Sequence, residues 1–170
     1  SAWSVGLGLK LKEYGIPVLI VDNNWNELRD ARAAGLTTHY GEILSETAEF
    51  AVDFGSYGTF IAATDNDAYN TLIINDYAFD FGRRNVFQLA PAPRKLGTAA
   101  EATFALGGRP LLASQSALHE FARGSDDVAF SATKLTSKFD LKQLLASKDA
   151  RWVPVLAIRP DKSILVAAAD

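Results

Sequence analysis

GIPVLIVD, residues 15–22, is a run of mostly branched apolar side chains that ends in an acid. Such a run, without polar alternation, reads as a strand covered on both faces, the kind found in parallel sheets. Its neighbours supply the helices. Upstream, Trp3, Leu7, Leu11 and Tyr14 recur at helical spacing between Ala2 and Tyr14, and Gly15 is a stop signal. Gly6 and Gly8 fall inside that helix, where they allow close approach to a sheet. Downstream, NNWNELRDARAAG (23–35) reads as a helix capped by Asn24, with Glu27 three residues on and Gly35 at its end.

The pattern then repeats. LTTHY (36–40) is a short strand, SETAEFAVDFG (45–55) a helix capped by Ser45, and GTFIAAT (58–64) a second buried strand. A long helix runs from there to Gly82, and NVFQLAP (85–91) is a further strand. Strict alternation with short connections predicts an α/β fold with a parallel sheet, whose ligand crevice lies at the carboxyl ends of the strands. The expected class is a Rossmann-like sheet without its first strand, followed by a small α+β unit. A Rossmann sheet is built outward from that first strand, which stands in the middle of the strand order. Here the sequence opens on the helix that should come after it. A gap at the centre of the sheet is therefore expected, filled by a strand upstream of Ser1 or by another chain, because buried unpaired amides cost roughly 1–3 kcal/mol each. Ser4, with Trp3 beside it, falls where the third glycine of a phosphate-binding G-x-G-x-x-G would stand, and Gly6 and Gly8 are read as helix-packing residues.

Residues 1–91 form the predicted nucleotide-binding domain, 92–110 a linker, and 111–170 a small α+β unit. The linker rests on the prolines of APAPRKLGTAAEATFALGGRP (90–110). The last unit is read as a helix over 114–124, a strand over VAFSATKL (128–135) and a helix over SKFDLKQLLASK (137–148) capped by Ser137. It ends in a hairpin of RWVPVLAIRP and SILVAAA turning near Asp161 and Lys162.

Composition narrows the function. With 170 residues, 48% hydrophobic and 22% charged, the chain has the make-up of a globular protein. A net charge of −3 gives no positive field for nucleic acid. Cysteine is absent, which removes disulfides, thiolate metal sites and cysteine nucleophiles. No apolar run approaches the roughly 18–20 residues needed to cross a bilayer. Methionine is absent too, even at position 1, so the chain reads as a piece of a longer protein or a processed product.

The candidate binding residues all lie just past the ends of strands. Asp22, with Asn23 beside it, ends the first buried strand, where an acid accepts hydrogen bonds from ribose hydroxyls or else caps the next helix. Gly41 and Glu42 come after the next strand, as a turn passing close to an adenosine or as an ordinary strand-to-helix turn. Thr64, Asp65, Asn66 and Asp67, with Asn70 one turn later, either contact the nucleotide or cap the next helix. Asp65 and Asp67 do not match the spacing of a calcium loop, and no metal site is expected. His39 and His119 have no nucleophile or paired carboxylate at a telling spacing, and both are read as structural. No catalytic residue is expected.

GIPVLIVDNNWNELRDARAAGLTTHYGEILSE and GTFIAATDNDAYN resemble the TrkA-N domain, also called the regulator-of-potassium-conductance (RCK) domain. Ala63-Thr64-Asp65-Asn66-Asp67 with Asn70 is the most specific part. FGRRNVFQLAP is similar to the next stretch of this domain in cation/proton antiporters that carry it as a cytoplasmic tail, and the segment from Leu135 to Pro160 is similar to the small domain behind it. Gly41-Glu42-Ile43 stands where the family often has Gly-Asp-Ala, and the glycine-rich loop is lacking. The resemblance implies binding of NAD(H), ATP, ADP or AMP without turnover. It also implies a homodimer and a covalently attached membrane transporter for Na⁺ or K⁺, with the domain on the cytoplasmic face. The alternatives are an NAD-dependent oxidoreductase and a dimerisation module that binds no ligand.

Overall fold

The computed structural model describes residues 2–89, 108–111, 129–148 and 152–167. The helix predicted over 114–124, with His119, lies outside them. Helix α1 (Ala2–Glu13) leads through Gly15, at φ +74°, into strand β1 (Leu19–Asp22). Helix α2 (Trp25–Ala33) is capped by Asn24, whose side chain accepts from the Asn26 N–H, and Gly35 beyond it sits at φ +73°. Strand β2 (Thr37–Tyr40), helix α3 (Glu46–Ala51) and a single 3₁₀ turn (Phe54–Ser56) come next. Ser45 caps α3 by accepting from the Ala48 N–H. Strand β3 (Phe60–Ala62), helix α4 (Asp67–Phe81) and strand β4 (Val86–Leu89) complete the alternation that the apolar runs predict.

Every pairing among these strands is parallel. β1 pairs with β2, with Leu19 opposite Thr37 and Asp22 opposite Tyr40. β3 pairs with β4, and β4 with β5 (Arg109–Leu111). β5 is a strand where composition suggests only linker. Proline is tolerated there because alternate residues of a parallel strand bond to the same neighbour. Phe60 N–H donates to Asn85 C=O, which turns Phe87 and Leu89 toward β3 and Gln88 toward β5. Gln88 then meets Arg109 and Leu111, and Pro110 needs no N–H.

The two sets of strands, β2-β1 and β3-β4-β5, are separate sheets. The break falls between β1 and β3, where a Rossmann sheet has its first strand. Burial marks the same place. β4, flanked on both edges, is buried at all four residues, whereas every residue of β1 stays partly exposed.

One apolar core covers each face. On one, Trp3, Leu7 and Leu11 of α1 pack with Phe87, Leu89 and Leu111. On the other, Ile73, Ile74 and Tyr77 of α4 pack with Ile43, Ala62 and Val86. Tyr77 stacks on Phe60, with ring centroids 4.7 Å apart, and Phe54 and Phe81 close round them edge-on. The glycines of α1 are packing residues, as expected. A Cβ on Gly8 would stand 2.9 Å from Leu36, and one on Gly6 3.0 Å from Phe130.

The predicted hairpin is present as β6 (Leu156–Ile158) and β7 (Ile164–Val166), antiparallel, with Lys162 at φ +69° in its turn. It does not build a core of its own. Val166 joins the α1 cluster, Val155, Ile158 and Ile164 pack against it, and Lys162 Nζ donates to Tyr14 C=O at 2.7 Å. Two local expectations need correcting. Residues 129–135 form no strand; Phe130 packs instead against the α1 cluster, with its ring beside Gly6. Helix α5 (Leu141–Ser147) is capped by Asp140, not Ser137. Asp140 has Gln143 three residues on, and the two close a reciprocal capping box with each other's backbone N–H.

Candidate functional site

Because the strands are parallel, Asp22, Gly41 and Thr64 leave the sheets at the same end. Gly41 N–H donates to Asp22 C=O at 3.1 Å, so the first two stand directly side by side. Gly41 has φ +150°, a conformation that side-chain-bearing residues rarely adopt, and it lets the chain turn sharply off β2. Behind this turn the Tyr77 hydroxyl, inside the core, donates to Ile43 C=O at 2.7 Å. The loop carrying Gly41 and Glu42 is thereby tied to α4.

Asp22 is half-buried, and its Oδ1 accepts from the Asn24 N–H at 2.8 Å. The acid thus helps start α2, the structural role open to it in the sequence. The bond occupies one carboxylate oxygen and leaves the residue at the rim.

Glu42 is the centre of the rim. Its Oε1 accepts from Asn23 Nδ2, and its Oε2 from the Tyr69 hydroxyl. Three segments meet on one carboxylate: the turn after β1, the turn after β2 and the first turn of α4. The two donors, Tyr69 first and Asn23 second, hold the Glu42 carboxyl below its ordinary value. Partial burial, and then the hydrogen bond to Glu42 and its charge, push the Tyr69 phenol up to about 12. The two shifts agree: the favoured state is an ionised Glu42 facing a protonated Tyr69.

Thr64 and Asn70 are bound to each other. Asn70 Oδ1 accepts from the Thr64 N–H at 3.0 Å and from Thr64 Oγ1 at 2.7 Å, while Asn70 Nδ2 donates to Thr64 C=O at 2.9 Å. Asn70 is completely buried, so it reaches the rim only through Thr64, whose loop it shapes. Asn66 caps α4, accepting from the Tyr69 N–H at 3.1 Å, and so sets the helical turn that aims Tyr69 at Glu42. Asp65 is exposed in the same loop.

The eight residues singled out in the sequence thus share one end of the sheets, with Asn70 beneath the surface. Sequence reasoning missed Tyr69 and the anchoring bond of Tyr77. The signal for Tyr69 was its place three residues after a capping Asn, the position that looks back over a helix start. No group of three or more His, Cys, Asp or Glu that could hold a metal ion occurs among the described residues. His39 lies in β2, with its ring edge 3.4 Å from the place a Cβ on Gly41 would occupy. Beside the rim, Arg32 stacks over the ring of Trp25, 3.8 Å from its centroid, and Trp25 meets Tyr40 edge-on. A separate concavity between α3 and α4, floored by Phe54, Tyr77 and Phe81 and edged by Glu49, Asp53, Asp76 and Asp80, lies away from these residues.

Parallel strands in βα order, with acids, amides and a hydroxyl at their carboxyl ends, define the class: a Rossmann-like α/β domain. In comparison with known families, residues 4–79 match the TrkA-N domain, and the fold agrees with that match. No curated protein and no solved structure matches the chain. Among the described residues, no helix is long and apolar enough to cross a membrane.

Proposed function

We propose that this chain is a regulatory, nucleotide-sensing domain of a monovalent cation transport system, on the cytoplasmic face of the membrane and attached to a Na⁺ or K⁺/proton antiporter. NAD(H) or an adenine nucleotide binds at the rim and is not transformed. Asp22 accepts from the ribose hydroxyls, Gly41 lets the chain pass close to the ligand, and Glu42, Thr64 and Asp65 line the adenosine side. Ligand occupancy then favours one arrangement of a homodimer and biases the membrane part, which requires different ligand affinities in the two arrangements.

The observation that carries this reading is the meeting of Asp22, Glu42 and the Thr64 loop at the carboxyl ends of parallel strands, within the stretch that matches the TrkA-N domain. The chemistry of the rim favours a sensor over an oxidoreductase. Its acid–base pair, Glu42 and Tyr69, is engaged in an internal hydrogen bond. One observation favours a second reading, a dimerisation module without ligand. Both Glu42 oxygens already accept a hydrogen bond, from Asn23 and Tyr69, so a ligand amine competes with partners in place.

Calorimetry with NADH, ATP and AMP, on the chain and on Asp22→Ala, separates the two. Saturable heat for one nucleotide, weakened at least tenfold by Asp22→Ala, is the expected result. No heat with any of the three favours the ligand-free module. Equal affinity in both proteins removes Asp22 from the site.

A further inference from the structure

We infer that the concavity between α3 and α4 is a binding site of its own, apart from the rim, and that its ligand is an organic polycation. The ligand class is a linear polyamine, with its methylenes on the floor and its ammonium groups against the walls. The floor is aromatic. Phe54, Tyr77 and Phe81 meet edge-on there, and Phe54 and Phe81 are only half-buried, so ring surface is open to a ligand. Aromatic rings attract cations and also cover alkyl chains. The space is about 700 Å³, within the range of small-molecule sites.

The walls are acidic. Glu49 lies on α3 and Asp53 just past its end, while Asp76 and Asp80 lie one turn apart on α4. All four are exposed, and no Lys, Arg or His lines the concavity. Among the described residues, none of the four forms an ion pair. Like charges one turn apart on a helix repel, and a cation between the walls relieves that repulsion. The negative field also reaches the floor: after burial, the charges of Asp76, Glu49 and Asp80 push the Tyr77 phenol up to about 12.

The spread of charge selects the ligand. Among the described residues, no three acids converge closely enough to hold a metal ion. Two acids on each wall, with apolar surface between them, call for positive charges separated by methylenes. That is the make-up of a linear polyamine. A basic peptide carries peptide groups as well, which need hydrogen-bond partners that an aromatic floor does not supply. A single exposed ion pair contributes little, so binding rests on several charges held on one chain and fades with salt.

The test is a titration of the isotope-labelled chain with spermidine, followed by amide NMR at about 0.1 M salt, where exposed charges act over only roughly 10 Å. Saturable shifts within residues 49–57 and 76–81, with Asp22 and Thr64 unmoved, are the expected result. Asp76→Asn combined with Asp80→Asn should weaken binding about fivefold or more. If that double variant folds poorly, Glu49→Gln on the opposite wall takes its place, with a loss of about twofold or more. Butylamine, which carries one charge, should bind far more weakly than spermidine. Shifts that never saturate, or that spread evenly over the acidic surface, overturn the proposal. So does unchanged affinity in the variants, or the same shifts from Mg²⁺ at the same concentration. A Lys-Gly-Lys peptide that binds these amides more tightly than spermidine assigns the concavity to a basic peptide and overturns the polyamine.

Discussion

Replacing Asn70 with alanine removes the link between the rim loop and α4. Asn70 is completely buried, and its amide makes three hydrogen bonds to Thr64, two of them to the backbone. At a net ~0.5–1.5 kcal/mol each, these bonds total about 1.5–4.5 kcal/mol. Thr64 itself is exposed, so water takes over part of what its N–H and C=O lose. The small void left by the amide acts in the other direction. Asn70→Ala should therefore destabilise the fold by about 2–3 kcal/mol, and for a chain of this size that lowers Tm by roughly 5–10 °C. Urea unfolding is the direct assay, with a lower midpoint and an unchanged slope as the expected signature. Asn70→Asp sharpens it. The aspartate keeps the acceptor for Thr64 but sets a second oxygen, on a side chain that is itself buried, against the Thr64 carbonyl. It should be at least as unstable as the alanine variant at neutral pH. Burial raises the folded-state pKa of that carboxyl, so stability is regained as pH falls and protonation restores a donor. An alanine variant within about 0.5 kcal/mol of the parent, inside the ordinary scatter of surface substitutions, would refute the argument. So would an aspartate variant at full stability at pH 7.

The same geometry sets other outcomes. Leu28 is completely buried beneath α2, and Leu28→Ala should cost about 2–5 kcal/mol in urea unfolding. Tyr77→Phe leaves the Ile43 carbonyl without its donor and should cost about 1–2 kcal/mol, with loss of order in the Gly41–Ile43 turn seen by NMR. Glu42 has its folded-state pKa lowered, so its contribution is present above its ordinary 4.5 and disappears as pH falls through the lower folded value. Carbon-detected NMR titration should find the Glu42 carboxyl moving up toward 4.5 in Tyr69→Phe, since that hydroxyl is the main cause of the shift. Tyr69 and Tyr77 are both pushed up to about 12, the reverse case. Their contribution is intact below pH 10 and is lost as pH rises through 12, so ultraviolet titration should show Tyr69 and Tyr77 ionising late, together with alkaline unfolding.

The parts of the fold that were legible in the sequence were those decided within a few residues. Asn24, Ser45 and Asn66 all cap the helices predicted from them, because a short polar side chain before an amphipathic run satisfies a free N–H wherever it occurs. The break in the sheet was legible for a related reason: alternating β and α elements leave one arrangement once crossovers must be right-handed. What escaped depends on partners distant in sequence. Arg109–Leu111 is too short and too proline-marked to read as a strand, and the β4 edge beside it makes it one. Residues 129–135 have strand-like alternation, but Phe130 packs on α1 and the segment pairs with no strand. At the rim, residue types were visible in the sequence, but the sharing of Glu42 by Asn23 and Tyr69 was not, since it joins positions 19 and 27 residues apart.

The packing of the β6-β7 hairpin on α1 bears on how the chain folds. Leu7 and Leu11 share a core with Val166, more than 150 residues away, so α1 cannot complete its apolar contacts until the hairpin has formed. Contacts of such long range carry a large loop-closure entropy and slow the search for the native state. Folding should therefore finish at α1: β3, β4 and α4 assemble early from neighbouring segments, and the helix that opens the sequence locks in late.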